Sequence, residues 1–288
     1  KNVSDKTVLM QLMEDMLLSM QAKDAKQDEW FAGGLGILRG VAYRLYDEFK
    51  EYCTIPHILT LIMNSSQDSL TRFLEQNTIS EMMAGAFLKA KGSEKTQAST
   101  LSNQIATMAT DENIAWVLSG NDFDFNLIDP EHPKMFAVSN NFSKNSVYSP
   151  VIAMLLSISS RQFTMQNKVP FVYFLDEMTT FKIKNFETLP SVLREYKAAF
   201  VLLTQSGAKL ENLYGKLDRS SVEANFGNMF LGRTKDVEAL KYYPLFFGKE
   251  EKERRSRSAG KSGSSSNSSV TISSQKEDVY QGKDFSEL

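Results

Sequence analysis

Apolar residues recur at three- and four-residue spacing from Asp5 to about Leu118, which predicts helices throughout that stretch. Leu9, Leu12, Met13, Met16, Leu17 and Met20 form one stripe, and Trp30, Phe31, Leu35, Leu38, Ala42, Leu45 and Phe49 form a second. Pro56 falls in the first turn of a third helix, where its missing N–H leaves no partner unpaired. Ser66 is placed to cap the helix holding Leu70, Phe73 and Leu74, and Thr78 with Glu81 reads as a capping box ahead of Met82 to Leu88. Facing stripes joined by short connections predict a helical bundle that folds as a separable unit.

After Gly120 the rhythm changes. Short apolar runs at Lys134–Ser139, Val169–Leu175, Phe200–Thr204 and Asn228–Leu231 predict strands, and helical patterns occupy Ser149–Gln166, Leu189–Tyr196, Lys209–Tyr214 and Asp236–Tyr243. Strands alternating with helices, with apolar runs that lack a polar face, predict a parallel sheet covered on both sides. From Lys249 onward the chain is charged and then serine-rich, so Lys252–Ser274 is expected to be disordered for want of apolar surface to offset chain entropy. Three regions result: an all-helical domain over 1–118, an α/β part over 119–248, and a flexible charged and serine-rich end over 249–288.

Composition narrows the function classes. The 288 residues are 42% hydrophobic, enough for a sizeable core, and the net charge of −2 argues against a uniformly basic nucleic-acid coat while leaving room for a local patch. Cys53 has no partner for an internal disulfide, and with His57 and His132 far apart there is no zinc-ligand spacing. No stretch approaches the roughly 20 apolar residues that span a bilayer. The methionines of the first third read as gap-fillers in a helical core. Gly33, Gly34, Gly36 and Gly40 follow no strand and sit inside a helical stripe, so close helix packing explains them better than a dinucleotide loop.

The segment VPFVYFLDE carries candidate chemistry. Its apolar run brings Asp176 and Glu177 to the C-terminal end of a buried strand, where α/β sheets bind ligands. An aspartate there can hold Mg²⁺ through water, and the glutamate after it can polarise a water that attacks a γ-phosphate. Any strand ends in polar residues as it reaches solvent, so the neighbourhood decides. The next strand, AFVLLTQS, finishes in Gln205 and Ser206, beside the first tip if the two strands are parallel neighbours. A glutamine at that tip can orient water or sense phosphate. Arg194, at a helix end, can stabilise transferred phosphoryl charge, typically in a neighbouring subunit, although by itself it reads as a solvated helix-end cation. The basic run Lys252, Arg254, Arg255, Arg257 and Lys261 could touch DNA phosphates, but interspersed Glu250, Glu251 and Glu253 make a solvated loop an equal reading.

Taken together, VPFVYFLDE, LPSVLREYKAAFVLLTQSGAKLENLYG and NFGNMFLGRTKDVEALKYYPLFFG resemble the C-terminal half of the motor domain of type IV secretion coupling proteins, the TraG/TraD family. Gln205, Ser206, Leu210, Tyr214 and Gly215 match its QS…L…YG run. DEWFAGGLGILRGVAYRL resembles the start of the all-helical domain that this family inserts into its motor, and Ser119 to Pro150 the stretch leading back. The resemblance implies an α/β fold: the RecA-like P-loop motor half with a parallel sheet, preceded by an all-helical inserted domain.

It also implies a parent ATPase using ATP and Mg²⁺, with catalytic roles for Glu177, Arg194 and Gln205, cofactor contacts from Asp176 and Ser206, and Asp176 holding Mg²⁺ through water. The implied parent is a homo-hexamer at the cytoplasmic face of the bacterial inner membrane. It delivers relaxase-bound single-stranded DNA to the channel proteins of a type IV secretion system, and its helical domain recruits the relaxosome. A phosphate loop, GxxxxGK[ST], is expected before the helical domain and does not occur there. Gly260, Lys261 and Ser262 spell its end in the wrong setting and read as a decoy, so the chain is expected to be a piece truncated at both ends and inactive alone. Other RecA-like secretion ATPases or DNA translocases share the DE and Gln strands but not the QS…YG run, and a non-catalytic helical adaptor is a third reading.

Overall fold

A computed structural model describes residues 3, 5–21, 28–91, 96–163, 169–262 and 265–288, with backbone alone over 259–262 and 265–267. The chain divides into two compact units, Lys1–Asn225 and Phe226–Leu288.

In the first unit, α1 (Lys6–Ser19), α2 (Glu29–Glu48), α3 (Ile55–Asn64), α4 (Gln67–Glu75), α5 (Thr78–Met83), α6 (Gly85–Leu88), α7 (Gln97–Ala109) and α8 (Glu112–Ser119) form the helical bundle that the apolar spacing predicts. Met13, Met16 and Leu17 of α1 and Ile37, Leu38 and Val41 of α2 are fully buried. The caps are local: Asp5, Asp28, Thr54 and Ser66 each accept a backbone N–H in the first turn of α1, α2, α3 and α4. At α5 the cap is Asn77 rather than Thr78: the Asn77 side-chain oxygen accepts both the Ile79 and the Ser80 N–H groups, and Thr78 is already the first helical residue.

The glycines of α2 are packing positions. A Cβ at Gly36 would stand 2.6 Å from the Met83 carbonyl oxygen, and one at Gly40 would stand 2.7 Å from Leu74. The Ser80 hydroxyl donates to the Gly40 carbonyl at 2.6 Å, an approach that any side chain at Gly40 would block.

After α8 come α9 (Asn145–Ser160), β1 (Phe171–Leu175), α10 (Leu189–Arg194), β2 (Ala198–Leu202), α11 (Gly207–Tyr214) and α12 (Lys216–Ala224). Val151, Met154 and Ile158 of α9 belong to the same core as the bundle. Asp15 of α1, almost fully buried, binds α9 through Ser157 (2.6 Å) and Arg161 (3.2 Å). The bundle and the sheet therefore share one interior, and the change of texture near residue 118 is no break in packing. The separable bundle over 1–118 is not what the packing shows, because α1 spends part of its apolar stripe on α9.

β1 and β2 pair in parallel, Phe171 opposite Ala198 through Leu175 opposite Leu202. One face is buried, and the other carries exposed Val172, Phe174 and Val201, so among the described residues the sheet is covered on one side rather than both. Lys134–Ser139 and Asn228–Leu231 belong to no ladder among the described residues. Strand propensity needs a partner edge to become structure, and without one Met135 and Phe230 stand 93% and 97% exposed.

The second unit holds α13 (Val237–Tyr242), β3 (Lys249–Ser262), β4 (Ser265–Asp278) and α14 (Gly282–Glu287). β3 and β4 form a long antiparallel hairpin, which corrects the expectation of a flexible loop over 249–288. Thr271, Val270 and Ile272 favour extended backbone, and cross-strand ion pairs Arg254–Glu277 and Lys249–Asp278 supplement the ladder. Gly260, Lys261 and Ser262 close β3 rather than a strand-to-helix turn, so they form no phosphate loop.

The packing role of α2 makes a testable case. Gly36→Ala should lower stability by about 1–3 kcal/mol in urea unfolding, because the clash with the Met83 carbonyl outweighs the roughly 1 kcal/mol of helix propensity that alanine gains. A stabilised variant would show that α2 can move away from α5 freely.

Candidate functional site

The parallel register places two strand ends together. Leu175 ends β1, Leu202 ends β2, and the ladder continues as the Leu203 N–H donates to the Leu175 carbonyl at 3.0 Å. Asp176 and Glu177 on one strand and Thr204, Gln205 and Ser206 on the other thus leave the sheet at the same C-terminal edge. Asp176 is exposed, and Glu177 is half-buried. Glu177 has φ 46° and ψ 44°, a left-handed conformation that costs a non-glycine residue on the order of 1–3 kcal/mol. The Thr180 N–H closes the turn onto the Glu177 carbonyl at 2.9 Å.

A cavity of about 710 Å³ opens beside β1 and includes both carboxylates. Its wall adds Lys209 and Asn140, neither of which the sequence singles out. Lys209 donates to the Gln205 side-chain oxygen at 3.0 Å, so the glutamine amide is oriented by a cation one helical turn away. Asn140 donates to Asn145 (2.6 Å) and Thr180 (3.3 Å), and its own Oδ1 is buried without a hydrogen-bond partner. Ser206 caps α11, its hydroxyl accepting the Ala208 N–H at 3.1 Å. Immediately after it, Gly207 leaves room for Arg219, whose Nη2 would lie 2.6 Å from a Cβ there. Arg219 is held by Glu211 (3.0 Å) and Glu223 (2.9 Å).

Arg194 lies elsewhere. It ends α10, its carbonyl accepts from Lys197, and the Lys197 carbonyl accepts from Phe171 at the N-terminal end of β1. A five-residue strand, roughly 16 Å at ~3.3 Å per residue, separates that end from Asp176. The fold therefore unites Asp176, Glu177, Gln205 and Ser206 and leaves Arg194 at the opposite edge of the same sheet.

The tyrosine of the YG pair has a definite task. Tyr214 is buried, and its hydroxyl accepts the Ile183 N–H at 3.0 Å, tying α11 to the loop that follows Glu177. Burial raises its pKa far above that of a free phenol, so the hydroxyl stays neutral. On the buried face an aromatic series links the same parts: Tyr173 stacks on Phe200 with ring centres 4.8 Å apart, and Phe186 touches both Phe200 and Tyr214 at 6.1 Å. Gly215, at φ 91°, lets the chain reverse directly into α12. Tyr214→Phe should cost about 1–3 kcal/mol, since it leaves a buried N–H without an acceptor, and should speed amide exchange at Ile183. Unchanged exchange there would remove the hydrogen bond from the account.

Residues 170–288 match the family described as the TraM recognition site of TraD and TraG. A comparison with curated proteins found no match. Among solved structures, the unbound conjugative coupling protein TrwBdeltaN70 is similar with a TM-score of 0.77 and 15% identity over 99% of this chain. TrwB in complex with ADP and Mg²⁺ gives 0.76 and 17% over the same share, and TrwB with a non-hydrolysable ATP analogue gives 0.74 and 16%. The chain spans 64% of the length of each of these structures. Residues 170–288 thus match the TraG/TraD family by sequence, and the chain as a whole shares the fold of the solved conjugative coupling protein, a helical region followed by an α/β part with a parallel strand pair.

Proposed function

We propose that this chain is part of a conjugative coupling ATPase, which uses ATP hydrolysis to deliver relaxase-bound single-stranded DNA to a type IV secretion channel. The observation that carries the reading is the shared edge of β1 and β2, where Asp176–Glu177 and Gln205–Ser206 leave adjacent parallel strands in a fold also seen in a protein solved with ADP and Mg²⁺. The remaining parts of the reading are a homo-hexameric assembly, attachment at the inner face of the bacterial inner membrane, and contact of the helical domain with the relaxosome. Among the described residues no helix is long and apolar enough to cross a membrane, so any anchor would lie outside them.

The donor set fits a nucleotide-bound magnesium ion rather than one caged by protein. No group of three or more His, Cys, Asp or Glu residues that could hold a metal occurs among the described residues, and Asp176 offers one exposed carboxylate. Mg²⁺ keeps most of its water and takes one or two carboxylates plus phosphate oxygens, so Asp176 would hold it through water. Bound Mg²⁺–ATP supplies the phosphoryl group and neutralises its charge. Glu177 then accepts the proton of the attacking water at its carboxylate, and Gln205, fixed by Lys209, orients that water with its amide. The cradle for the phosphates would come from a phosphate loop outside this sequence, and Arg194 would serve the site of a neighbouring subunit from its position at the far edge of the sheet.

In a full-length parent protein, Glu177→Gln should abolish turnover and leave ATP binding largely intact, because Asp176 remains. Arg194→Ala should also stop turnover, and mixing the two inactive proteins should restore part of it by pairing an intact Glu177 with an intact Arg194 across some interfaces. Wild-type turnover by Arg194→Ala would return that residue to a solvated helix-end cation.

A further inference from the structure

The charge pattern of the β3–β4 arm changes once its register is known. Along the sequence, Arg254, Arg255 and Arg257 follow closely on glutamates. In the hairpin, all of its carboxylates, Glu250, Glu251, Glu253, Glu277 and Asp278, lie at the base, where they meet Lys252 (2.9 Å), Lys249 (3.7 Å) and Arg254. From Arg255 around to Gln275 the sequence has no acidic residue.

Arg255 and Arg257 share one face of the arm. Their cross-strand partners are Ile272 and Val270, which offer no counter-charge. Both arginines are exposed and have no ion-pair partner among the described residues. Exposed hydroxyls of Ser256, Ser258, Ser269, Thr271 and Ser273 stand on the opposite face of the arm.

The base of the arm is fixed rather than loose. Val279 N–H donates to the Gly248 carbonyl at 3.1 Å, and Phe247, Tyr280 and Phe285 form an aromatic cluster beneath it, with ring centres 4.8 to 6.3 Å apart. Two 14-residue strands on that base reach on the order of 45 Å at ~3.3 Å per residue.

We propose that this arm is a DNA contact in which Arg255 and Arg257 bind backbone phosphates without reading bases. Exposed guanidinium groups without a counter-charge complement a phosphate chain, and neither strand carries an aromatic residue on which bases could stack. The choice of DNA among polyanions rests on the coupling-protein reading, while the charge segregation stands independently of it.

The test uses the 288-residue chain and a 30-nucleotide thymidine oligonucleotide, read by fluorescence anisotropy across a salt series. Replacing Arg255 and Arg257 together by serine should weaken binding at least tenfold and lower the salt slope by about 1.4, at ~0.7 per single-strand phosphate contact. A control pair at the base, Lys249→Ser with Lys276→Ser, removes equal charge and should stay within about twofold of the parent. Both proteins should keep the parent's far-UV circular dichroism, since the replaced side chains are exposed. Absence of binding at low salt, an unaffected distal variant, or an equal loss in the base variant would each overturn the assignment. Arm-dependent binding in a protein whose extended parent fails to bind ATP would instead sink the coupling-ATPase reading and leave the arm as a DNA contact.

Discussion

The pairing of β1 with β2 is the constraint on which the rest of the site depends. Parallel strands send their C-terminal ends to the same edge, so five ladder positions decide that Asp176, Glu177, Gln205 and Ser206 meet. The same ladder decides that Arg194, which precedes β2, cannot meet them within one chain. Tyr173, Phe200, Phe186 and Tyr214 hold the pair from its buried side, and Phe186 is fully buried. Truncating Phe186 would be felt at the strand tips, because core truncations of this size typically cost about 3–5 kcal/mol.

The helical region contributes more than a separate appendage would. Arg39 binds Glu14 at 2.8 Å, Lys184 binds Glu14 at 3.0 Å, and Arg161 and Lys184 both approach Asp15. Lys184 belongs to the loop that follows Glu177, so α1, α9 and that loop share one charged junction. Its ions are partly buried and mutually compensated, and removing one partner would strand the others' charge. Cys53 has no comparable role: burial pushes its thiol up to about 11, which keeps it protonated and unreactive.

Much of this was legible in the sequence because it rests on local rules. The stripes of α1 and α2, Pro56 in the first turn of α3 and the cap at Ser66 depend on spacing and short-range hydrogen bonds. The strand ending in Asp176 and Glu177 depends on an apolar run. What escaped depends on distant partners. Tyr214 reads as a motif residue, but its hydrogen bond to Ile183 exists only in the fold. Asn140 and Lys209 enter the cavity from other elements. The β3–β4 arm looks unstructured because it buries almost nothing, yet its ladder and base contacts order it, and only the register shows that Arg254 meets Glu277 while Arg255 and Arg257 face Ile272 and Val270. Conversely, Lys134–Ser139 and Asn228–Leu231 have strand composition and remain unpaired, since no edge among the described residues takes their hydrogen bonds.

The central claim is geometric: Glu177 is close to Gln205 and remote from Arg194 within one chain. Spin labels placed in pairs on a Cys53→Ser background, at 177 with 205 and at 177 with 194, measure it directly. The fold predicts strong short-range coupling for the first pair and a separation on the order of a full strand length, roughly 16 Å or more, for the second. Comparable coupling in both pairs would contradict the parallel register and bring Arg194 into its own chain's site.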